Sequence, residues 1–166
     1  MKRLLVLRHA KAELESTTGR DFDRPLAKRG WKHAVEVGRT MRERGLGPAA
    51  IIASPAKRVA ETLAAVAEGY GPLTPDFDER IYNASPGTLL DVVREADDSA
   101  RTLLLVGHNP GLLLLLLDLT RDDGDARRAR IEQGFPTAAL AVVDLPATTW
   151  AEVEAGGGQL VDLILR

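Results

Sequence analysis

Two histidines and two arginines follow predicted strands, and their types indicate what chemistry the protein can perform. Arg8 and His9 come directly after the first apolar strand, and His108 comes after a later one. Arg58 lies in the first turn of the helix after the second strand, where the helix dipole also favours an anion. Guanidinium groups match phosphate oxygens in pairs and stay charged at any relevant pH. The combination predicts a site for a tetrahedral oxyanion.

Such a site supports phosphoryl transfer through a phosphohistidine intermediate. A neutral imidazole attacks phosphorus in line when a backbone carbonyl holds its other ring nitrogen protonated. The arginines and the second histidine stabilise the charge that builds on the equatorial oxygens. Water then attacks the phosphoenzyme and releases inorganic phosphate. This mechanism requires neither a metal nor another cofactor.

An oxygen leaving group also needs a proton, which calls for a carboxylic acid near the site. Glu79 follows the weak third strand and is the candidate acid, although an ordinary loop carboxylate is the competing interpretation. The leaving nitrogen of a phosphohistidine is expelled more easily. The acid therefore matters less for a phosphohistidine substrate.

A zinc site is the alternative use of the two histidines. His9, His108 and an aspartate would supply ligands that zinc accepts, but the flanking arginines repel a cation. The chain has no cysteine, which excludes disulfides, thiolate nucleophiles and cysteine-ligated zinc. We therefore expect no metal in this site.

The overall charge argues against nucleic acids and membranes as partners. The 166 residues carry a formal net charge of −2, so the anion site must be a local basic cluster. The apolar run at 4–7 is shorter than the roughly 7–15 residues of an export signal. The leucine-rich run at 112–119 is shorter than the roughly 20 residues that span a bilayer. We expect a cytoplasmic protein, and the abundance of Ala, Leu, Arg and Gly is typical of a bacterium with a GC-rich genome.

The apolar patterns predict that strands and helices alternate along most of the chain. Ser54 followed by Pro55 is typical of a helix start, with a capping hydroxyl before a proline. We predict strands at 2–7, 49–53, 73–77, 102–106 and 137–145, and helices at 25–44, from 54 to near 69, at 86–96 and at 110–119. After Pro146, segments 150–154 and 159–165 are predicted to pair as a hairpin across three glycines.

This order of elements predicts an α/β protein. Alternation followed by a hairpin indicates a three-layer α/β/α sandwich, whose central sheet is mostly parallel with an antiparallel edge. No repeat, linker or low-complexity tract divides the sequence, so we expect 1–166 to form one domain. Ligand sites in open α/β sheets gather at the carboxyl ends of the strands, where distant segments converge.

Four short motifs resemble those of the histidine phosphatase superfamily, and the resemblance spans nearly the whole chain. They are Leu7-Arg8-His9-Ala10, Ser54-Pro55-x-x-Arg58-x-x-x-Thr62, Glu79-Arg80-Ile81-Tyr82 and Gly107-His108. The short chain also resembles the SixA-type phosphohistidine phosphatases, through Arg8-His9-Ala10-Lys11-Ala12, Asp23-Arg24-Pro25-Leu26, Phe135-Pro136-Thr137 and Trp150. The resemblance implies a phosphoglycerate mutase-like fold.

The resemblance also implies roles for the site residues. These are nucleophile for His9, phosphoryl binding for Arg8, Arg58 and His108, and general acid for Glu79. Two positions depart from the commoner pattern: Val59 replaces an alanine, and Ala10 replaces a glycine. Neither change removes a functional group.

We expect a metal-independent phosphatase that acts on phosphohistidine in a protein. The short chain leaves few residues for a lid or a deep pocket, so the site should be open to a protein surface. A phosphomonoesterase for a small phosphorylated metabolite is the alternative, whereas a mutase must hold its intermediate under a closed cover. A non-catalytic phosphate- or phosphoprotein-binding module is the alternative from another class, and the intact histidines and arginines argue against it.

Overall fold

A six-stranded mixed sheet forms the centre of the computed structural model, which describes residues 1–166. The strands are β1 (Lys2–Arg8), β2 (Ala50–Ala53), β3 (Asp76–Phe77), β4 (Thr102–Gly107), β5 (Leu140–Leu145) and β6 (Gln159–Ile164), in the order β3-β2-β4-β1-β5-β6. Strands β1 to β4 pair in parallel, whereas β5 runs antiparallel to β1 and β6 antiparallel to β5. The predicted sheet with an antiparallel edge is confirmed.

Helices cover both faces of the sheet. They are α1 (Lys28–Glu43), α2 (Lys57–Tyr70), α3 (Pro86–Arg94), α4 (Gly111–Leu119) and α5 (Ala126–Glu132). Leu5 and Leu7 of β1 pack in the core with α1 and α2, whereas Leu4 and Val6 pack in the core with the other three helices. Successive strand side chains point to opposite faces, so the predicted three layers are confirmed. None of the helices combines the length and apolar character that crossing a membrane requires.

Helices α1 and α2 cross with their backbones in contact because each has a glycine at the crossing. A Cβ atom on Gly38 would lie 2.1 Å from the carbonyl oxygen of Val66, and one on Gly69 would lie 2.1 Å from that of Val35. Any larger side chain would push the two helices apart. The close crossing fixes α2, whose first turn carries Arg58.

The carboxyl ends of β1, β2 and β4 meet at one edge of the sheet. The His9 N–H donates to the carbonyl of Gly107 over 3.1 Å, and the Ser54 N–H donates to that of Val106 over 3.1 Å. These bonds continue the parallel pairing one residue beyond the strands. Segments that are far apart in the sequence are therefore held side by side.

Two helix starts differ from the prediction. Ser54 does not cap α2, which begins at Lys57 after Ala56, a residue whose side chain makes no capping bond. The Ser54 side chain is instead fully buried. Helix α1 begins at Lys28 rather than at 25, because Leu26 forms an isolated antiparallel bridge with Ala12.

The region after β4 departs most from the prediction. The predicted hairpin of 150–154 with 159–165 is wrong, since β6 pairs with β5 and Trp150–Glu152 is a 3-10 helix. Trp150 is fully buried, and its indole Nε1 donates to the carbonyl of Ala100 over 2.8 Å. The buried Trp150 side chain and its hydrogen bond hold this segment against the core, and the segment does not pair as a strand. Helix α5, also in this region, has no counterpart in the prediction. Earlier in the chain, β3 has two residues where the prediction of 73–77 has five.

Candidate active site

A cleft of about 270 Å³ lies at the carboxyl ends of β1, β2 and β4. It is lined by Arg8, His9, Lys11, Ala12, Leu14, Arg24, Arg58, Asn83, His108, Asn109 and Thr137. Four of the five predicted site residues are among them, namely Arg8, His9, Arg58 and His108. The fold therefore brings the two imidazoles and the two guanidiniums together, as the strand ends predicted.

His9 lies on the floor of the cleft and is 8% exposed. Its Nδ1 is 2.8 Å from the carbonyl oxygen of Ala10, which can only accept, so Nδ1 carries the proton and Nε2 keeps its lone pair. Burial, together with the charges of Arg58 and Arg8, lowers the pKa of His9 to about 4. The ring is therefore neutral at neutral pH, as a nucleophile requires.

Thr62 ties the segment after His9 to helix α2. Its Oγ1 accepts the Ala10 N–H over 3.0 Å and donates to the carbonyl oxygen of Arg58 over 2.6 Å. The Thr62 side chain is fully buried. One hydroxyl thus connects the backbones beside His9 and at Arg58, which gives a physical reason for a threonine in this motif.

His108 lies beside His9, with the two ring centroids 5.3 Å apart. Its Nε2 is 2.8 Å from the hydroxyl of Ser54, and its Nδ1 is buried without a partner. Burial, with the charges of His9 and Arg58, lowers the pKa of His108 to about 3. A bound anion would raise this pKa, because an opposite charge favours the protonated ring. His108 is therefore suited to take up a proton when a phosphoryl group binds.

Arg8 and Arg58 bring two guanidinium groups to the same cleft. Arg8 Nη1 donates to the carbonyl of Phe135 over 3.1 Å, and the Nε atoms of both arginines are buried without a partner. Burial and the nearby Arg58 lower the pKa of Arg8. Arg58 is buried and Arg8 is half-buried, and these two like charges with unused N–H groups form a site that an anion stabilises. Phosphoryl oxygens match these donors.

Asn109 is a cleft residue that the sequence did not indicate as functional. Its Nδ2 donates to the carbonyl of Phe135 over 2.7 Å, the same oxygen that Arg8 contacts. Its Oδ1 is buried without a partner. The sequence feature that could have indicated a role for Asn109 is its position directly after His108.

Asp21 joins three donors beside the cleft. Its carboxylate accepts from the Tyr82 hydroxyl over 2.6 Å, from Arg24 Nη1 over 2.9 Å and from Arg58 Nη2 over 3.0 Å. These bonds, that of Tyr82 above all, hold the pKa of Asp21 well below its usual range. Arg24 and Tyr82 stand in motifs of the sequence, and so does Asp23, whereas Asp21 stands outside them and was not indicated as a site residue.

Glu79 is not brought to the cleft with the other predicted residues. It begins the 3-10 helix Glu79–Ile81 and is exposed. Ile81 is buried near Gly107, where a Cβ atom would lie 3.0 Å from Ile81 Cγ2. The buried Ile81 side chain holds this segment in place, and Tyr82 lies next to His108, with ring centroids 5.5 Å apart. No Asp or Glu lines the cleft.

The zinc alternative lacks a ligand set. No group of three or more His, Cys, Asp or Glu side chains is placed to hold a metal ion. Arg8 and Arg58 beside the two imidazoles would also repel a cation. The donors of the cleft match an anion.

The family follows from comparison with known proteins. Residues 4–101 match the sequence profile of the histidine phosphatase superfamily (branch 1). The chain belongs to this superfamily. It is also 38% identical to an uncharacterized protein of Mycobacterium tuberculosis over 158 residues, which cover 93% of this chain and 96% of that protein.

Two solved structures of the superfamily match over nearly the whole chain. A candidate phosphohistidine phosphatase SixA from Agrobacterium tumefaciens has a TM-score of 0.84 at 29% identity, covering 99% of this chain and 98% of that one. A second candidate SixA protein, from Nakamurella multipartitia, has a TM-score of 0.84 at 26% identity, covering 99% of this chain and 95% of that one. The predicted SixA-type resemblance and the phosphoglycerate mutase-like fold are confirmed. The protein is a phosphatase of this superfamily.

Proposed function

We propose that this phosphatase removes the phosphoryl group from phosphohistidine on a protein, through a transient phosphohistidine on His9. The observation that carries the proposal is a cleft with an imidazole nucleophile and cationic groups but no carboxylic acid in its lining. A phosphate monoester expels an oxygen of high pKa and needs an acid. A phosphohistidine whose other ring nitrogen is protonated expels a neutral imidazole, whose conjugate acid has a pKa of about 6.5, so it can leave without an acid from the protein.

In the proposed first step, Nε2 of His9 attacks phosphorus as the P–N bond to the substrate imidazole breaks. The other nitrogen of the substrate ring carries a proton from solvent, so the ring leaves as neutral imidazole with the electron pair of the broken P–N bond. The guanidiniums of Arg8 and Arg58 and a protonated His108 stabilise the equatorial oxygens. Water then attacks the phosphorus on His9, its proton passes to solvent, and inorganic phosphate leaves with the His9 ring restored.

The entrance of the cleft supports a protein substrate. Lys11 and Leu14 line it and are exposed, Leu14 at 84%. A neighbouring cleft shares Asn83, His108 and Asn109 with it and is also lined by Leu114, which is 42% exposed. A histidine that projects from a protein surface would meet an open site with apolar side chains around it. The name of the Agrobacterium SixA protein also supports a phosphohistidine substrate.

The test is a comparison of two substrates in the presence of EDTA. We expect the enzyme to dephosphorylate a phosphohistidine-bearing carrier protein and to hydrolyse an alkyl phosphate, whose leaving oxygen needs a proton, far more slowly. His9→Ala should abolish the reaction with the carrier. His33→Ala is the matched control, because His33 lies on α1 and does not line the cleft.

Other outcomes would change the proposal in defined ways. Rapid turnover of the ester with the carrier untouched would assign a small phosphorylated metabolite instead. Phosphate binding without turnover of either substrate would favour a non-catalytic module. An alkaline quench with radiolabelled carrier should trap label on the wild-type enzyme and not on His9→Ala, and label on both would exclude His9 as the nucleophile.

A further inference from the structure

Asp21 contacts Arg58 through both its backbone and its side chain. Arg58 Nη1 donates to the Asp21 carbonyl oxygen over 2.8 Å, and Nη2 donates to Oδ2 over 3.0 Å. The Arg58 side chain is 6% exposed, whereas that of Asp21 is 50% exposed. Both terminal nitrogens of a buried arginine are thus held by one residue from a different segment of the chain.

Further donors hold the Asp21 carboxylate in place. Oδ2 accepts from the Tyr82 hydroxyl as well as from Arg58, and Oδ1 accepts from Arg24 Nη1. Tyr82 is itself packed edge-to-face on Phe22, with ring centroids 5.2 Å apart. A carboxylate with this many fixed donors stays in place when an anion enters the cleft.

The contacts with Asp21 leave donors of Arg58 for a ligand. Each terminal guanidinium nitrogen carries two hydrogens and Nε carries one, and Asp21 uses one hydrogen of each terminal nitrogen. The Nε of Arg58 is buried and has no partner in the protein. The guanidinium can therefore bind Asp21 and a phosphoryl group at the same time.

The charge of Asp21 also offsets a repulsion within the cleft. Arg8 and Arg58 lie close enough that Arg58 contributes to the lowered pKa of Arg8. Without a counter-charge, the flexible Arg58 side chain would turn away from Arg8 toward water. A donor that is fixed before the reaction begins stabilises the transition state without reorganisation.

We propose that Asp21 is a positioning residue that fixes the Arg58 guanidinium for phosphoryl transfer, with Tyr82 and Arg24 holding Asp21 in place. This inference rests on the proposed role of Arg58 in binding the phosphoryl group. Asp21 acts only through Arg58 and transfers no proton itself.

Asp21→Asn tests the proposal because it removes the charge and keeps the shape. We expect kcat on the phosphohistidine carrier to fall about 10- to 100-fold, with a smaller change in KM, since a misplaced donor costs most in the transition state. Asp23→Asn is the matched control, because Asp23 lies in the same 3-10 helix and accepts from Thr18 instead. An unchanged kcat would overturn the proposal, and so would a higher kcat with a lower KM, which a blocking carboxylate would give.

A double-mutant cycle with Arg58→Ala separates positioning from a general structural role. If Asp21 acts through Arg58, adding Asp21→Asn to Arg58→Ala should change kcat by less than about twofold. Losses that multiply would overturn the proposal. Thermal unfolding of each variant shows whether the folded state is retained.

Binding of inorganic phosphate, measured by calorimetry, gives a readout that needs no turnover. We expect the Kd to rise about tenfold in Asp21→Asn, because a charge-assisted contact to a phosphate-binding group is lost. The Kd of Asp23→Asn should match the wild type. Unchanged or tighter binding in Asp21→Asn would overturn the inference. A carrier left untouched by the wild-type enzyme would instead count against the proposed function, and phosphate binding would still decide the role of Asp21.

Discussion

The floor and the rim of the cleft are built in different ways. The floor consists of His9, Ser54, Thr62 and His108, none of which is more than 8% exposed. Their bonds go to one another and to the backbone at the strand ends and in α2. The rim consists of Asp21, Arg24 and Tyr82, which lie on or beside two 3-10 turns, and Glu79 lies on the second turn outside the cleft.

This difference suggests a division of roles: the floor residues perform the chemistry, whereas the rim residues control entry to the cleft and the orientation of Arg58. His9, Ser54 and His108 of the floor directly follow strands of the sheet, and Thr62 of α2 is hydrogen-bonded to the backbone next to His9. Rim positions depend on contacts between loops, such as the bond from Tyr82 to Asp21 over 2.6 Å. If this division is right, floor substitutions should affect catalysis with any phosphoryl substrate. Rim substitutions should act through Arg58 or have little effect.

The largest effect among four further variants and conditions is expected for His108→Ala on the floor. Its kcat should fall about 10²- to 10³-fold, because a group that stabilises the developing charge is removed. Steady-state rates with the phosphohistidine carrier provide the measurement. His33→Ala, outside the cleft, should keep the wild-type kcat, and a wild-type kcat in His108→Ala would remove His108 from the proposed mechanism.

The Thr62→Val variant should show a smaller effect, and on stability as well as rate. It leaves the buried Ala10 N–H without a partner, which should lower the free energy of unfolding by about 1–3 kcal/mol. The segment beside His9 also loses its tie to α2, so kcat should fall by about tenfold. Urea denaturation and steady-state kinetics measure the two quantities.

Thr40→Val is the matched control for Thr62→Val. The Thr40 hydroxyl also donates to the carbonyl four residues earlier, that of Glu36, over 3.0 Å, but it lies on α1 outside the cleft. It should therefore leave kcat unchanged. Equal kinetic losses in both variants would show that the tie to Ala10 has no special role.

The convergence of Arg8, His9, Arg58 and His108 could be predicted from the sequence because strand ends and motifs are local features. Arg8 and His9 directly follow an apolar run, and parallel strands must end at the same edge of a sheet. The continuous apolar residues of each strand also predict that the strand is buried. Strand ends and motifs therefore predict that these four side chains meet, and the structure brings them to one cleft.

The rest could not be predicted because it depends on contacts between distant segments. Asp21 and Arg58 are separated by 37 positions and meet only once a loop has packed against α2. Ser54 had the local signature of a helix cap, but its hydroxyl pairs with His108 instead. Trp150 was assigned to a strand, although its apolar ring is buried in the core from a 3-10 helix. In each case tertiary contacts outweighed local preference.

The floor should also make the protein sensitive to acid. The pKa values of His9 and His108 are lowered to about 4 and about 3, whereas an unfolded histidine has a pKa near 6.5. Between these values the unfolded chain binds protons that the folded chain does not, so stability is lost as pH falls below about 6.5. We expect the free energy of unfolding to drop by about 2.5 kcal/mol between pH 7 and pH 5.5 from these two groups.

Urea denaturation at the two pH values measures this loss. A His9→Asn/His108→Asn double variant should lose less stability over the same interval, because it lacks both groups. His33→Ala should behave like the wild type, since His33 is only half-buried and lies outside the cleft. An identical pH dependence in the double variant would mean that the two rings are protonated as easily in the folded protein as in the unfolded chain.

The smallest effect is expected for Glu79→Gln, next to the rim and outside the cleft. Glu79 is exposed and does not line the cleft, so kcat on the phosphohistidine carrier should change by less than about twofold. An alkyl phosphate makes the test sharper, because its leaving oxygen needs a proton whereas the leaving imidazole does not. A general acid would show itself as a loss of about 10²-fold on the alkyl phosphate with no loss on the carrier. That pattern would mean that Glu79 enters the cleft with substrate, and the division between a catalytic floor and an orienting rim would fail at this residue.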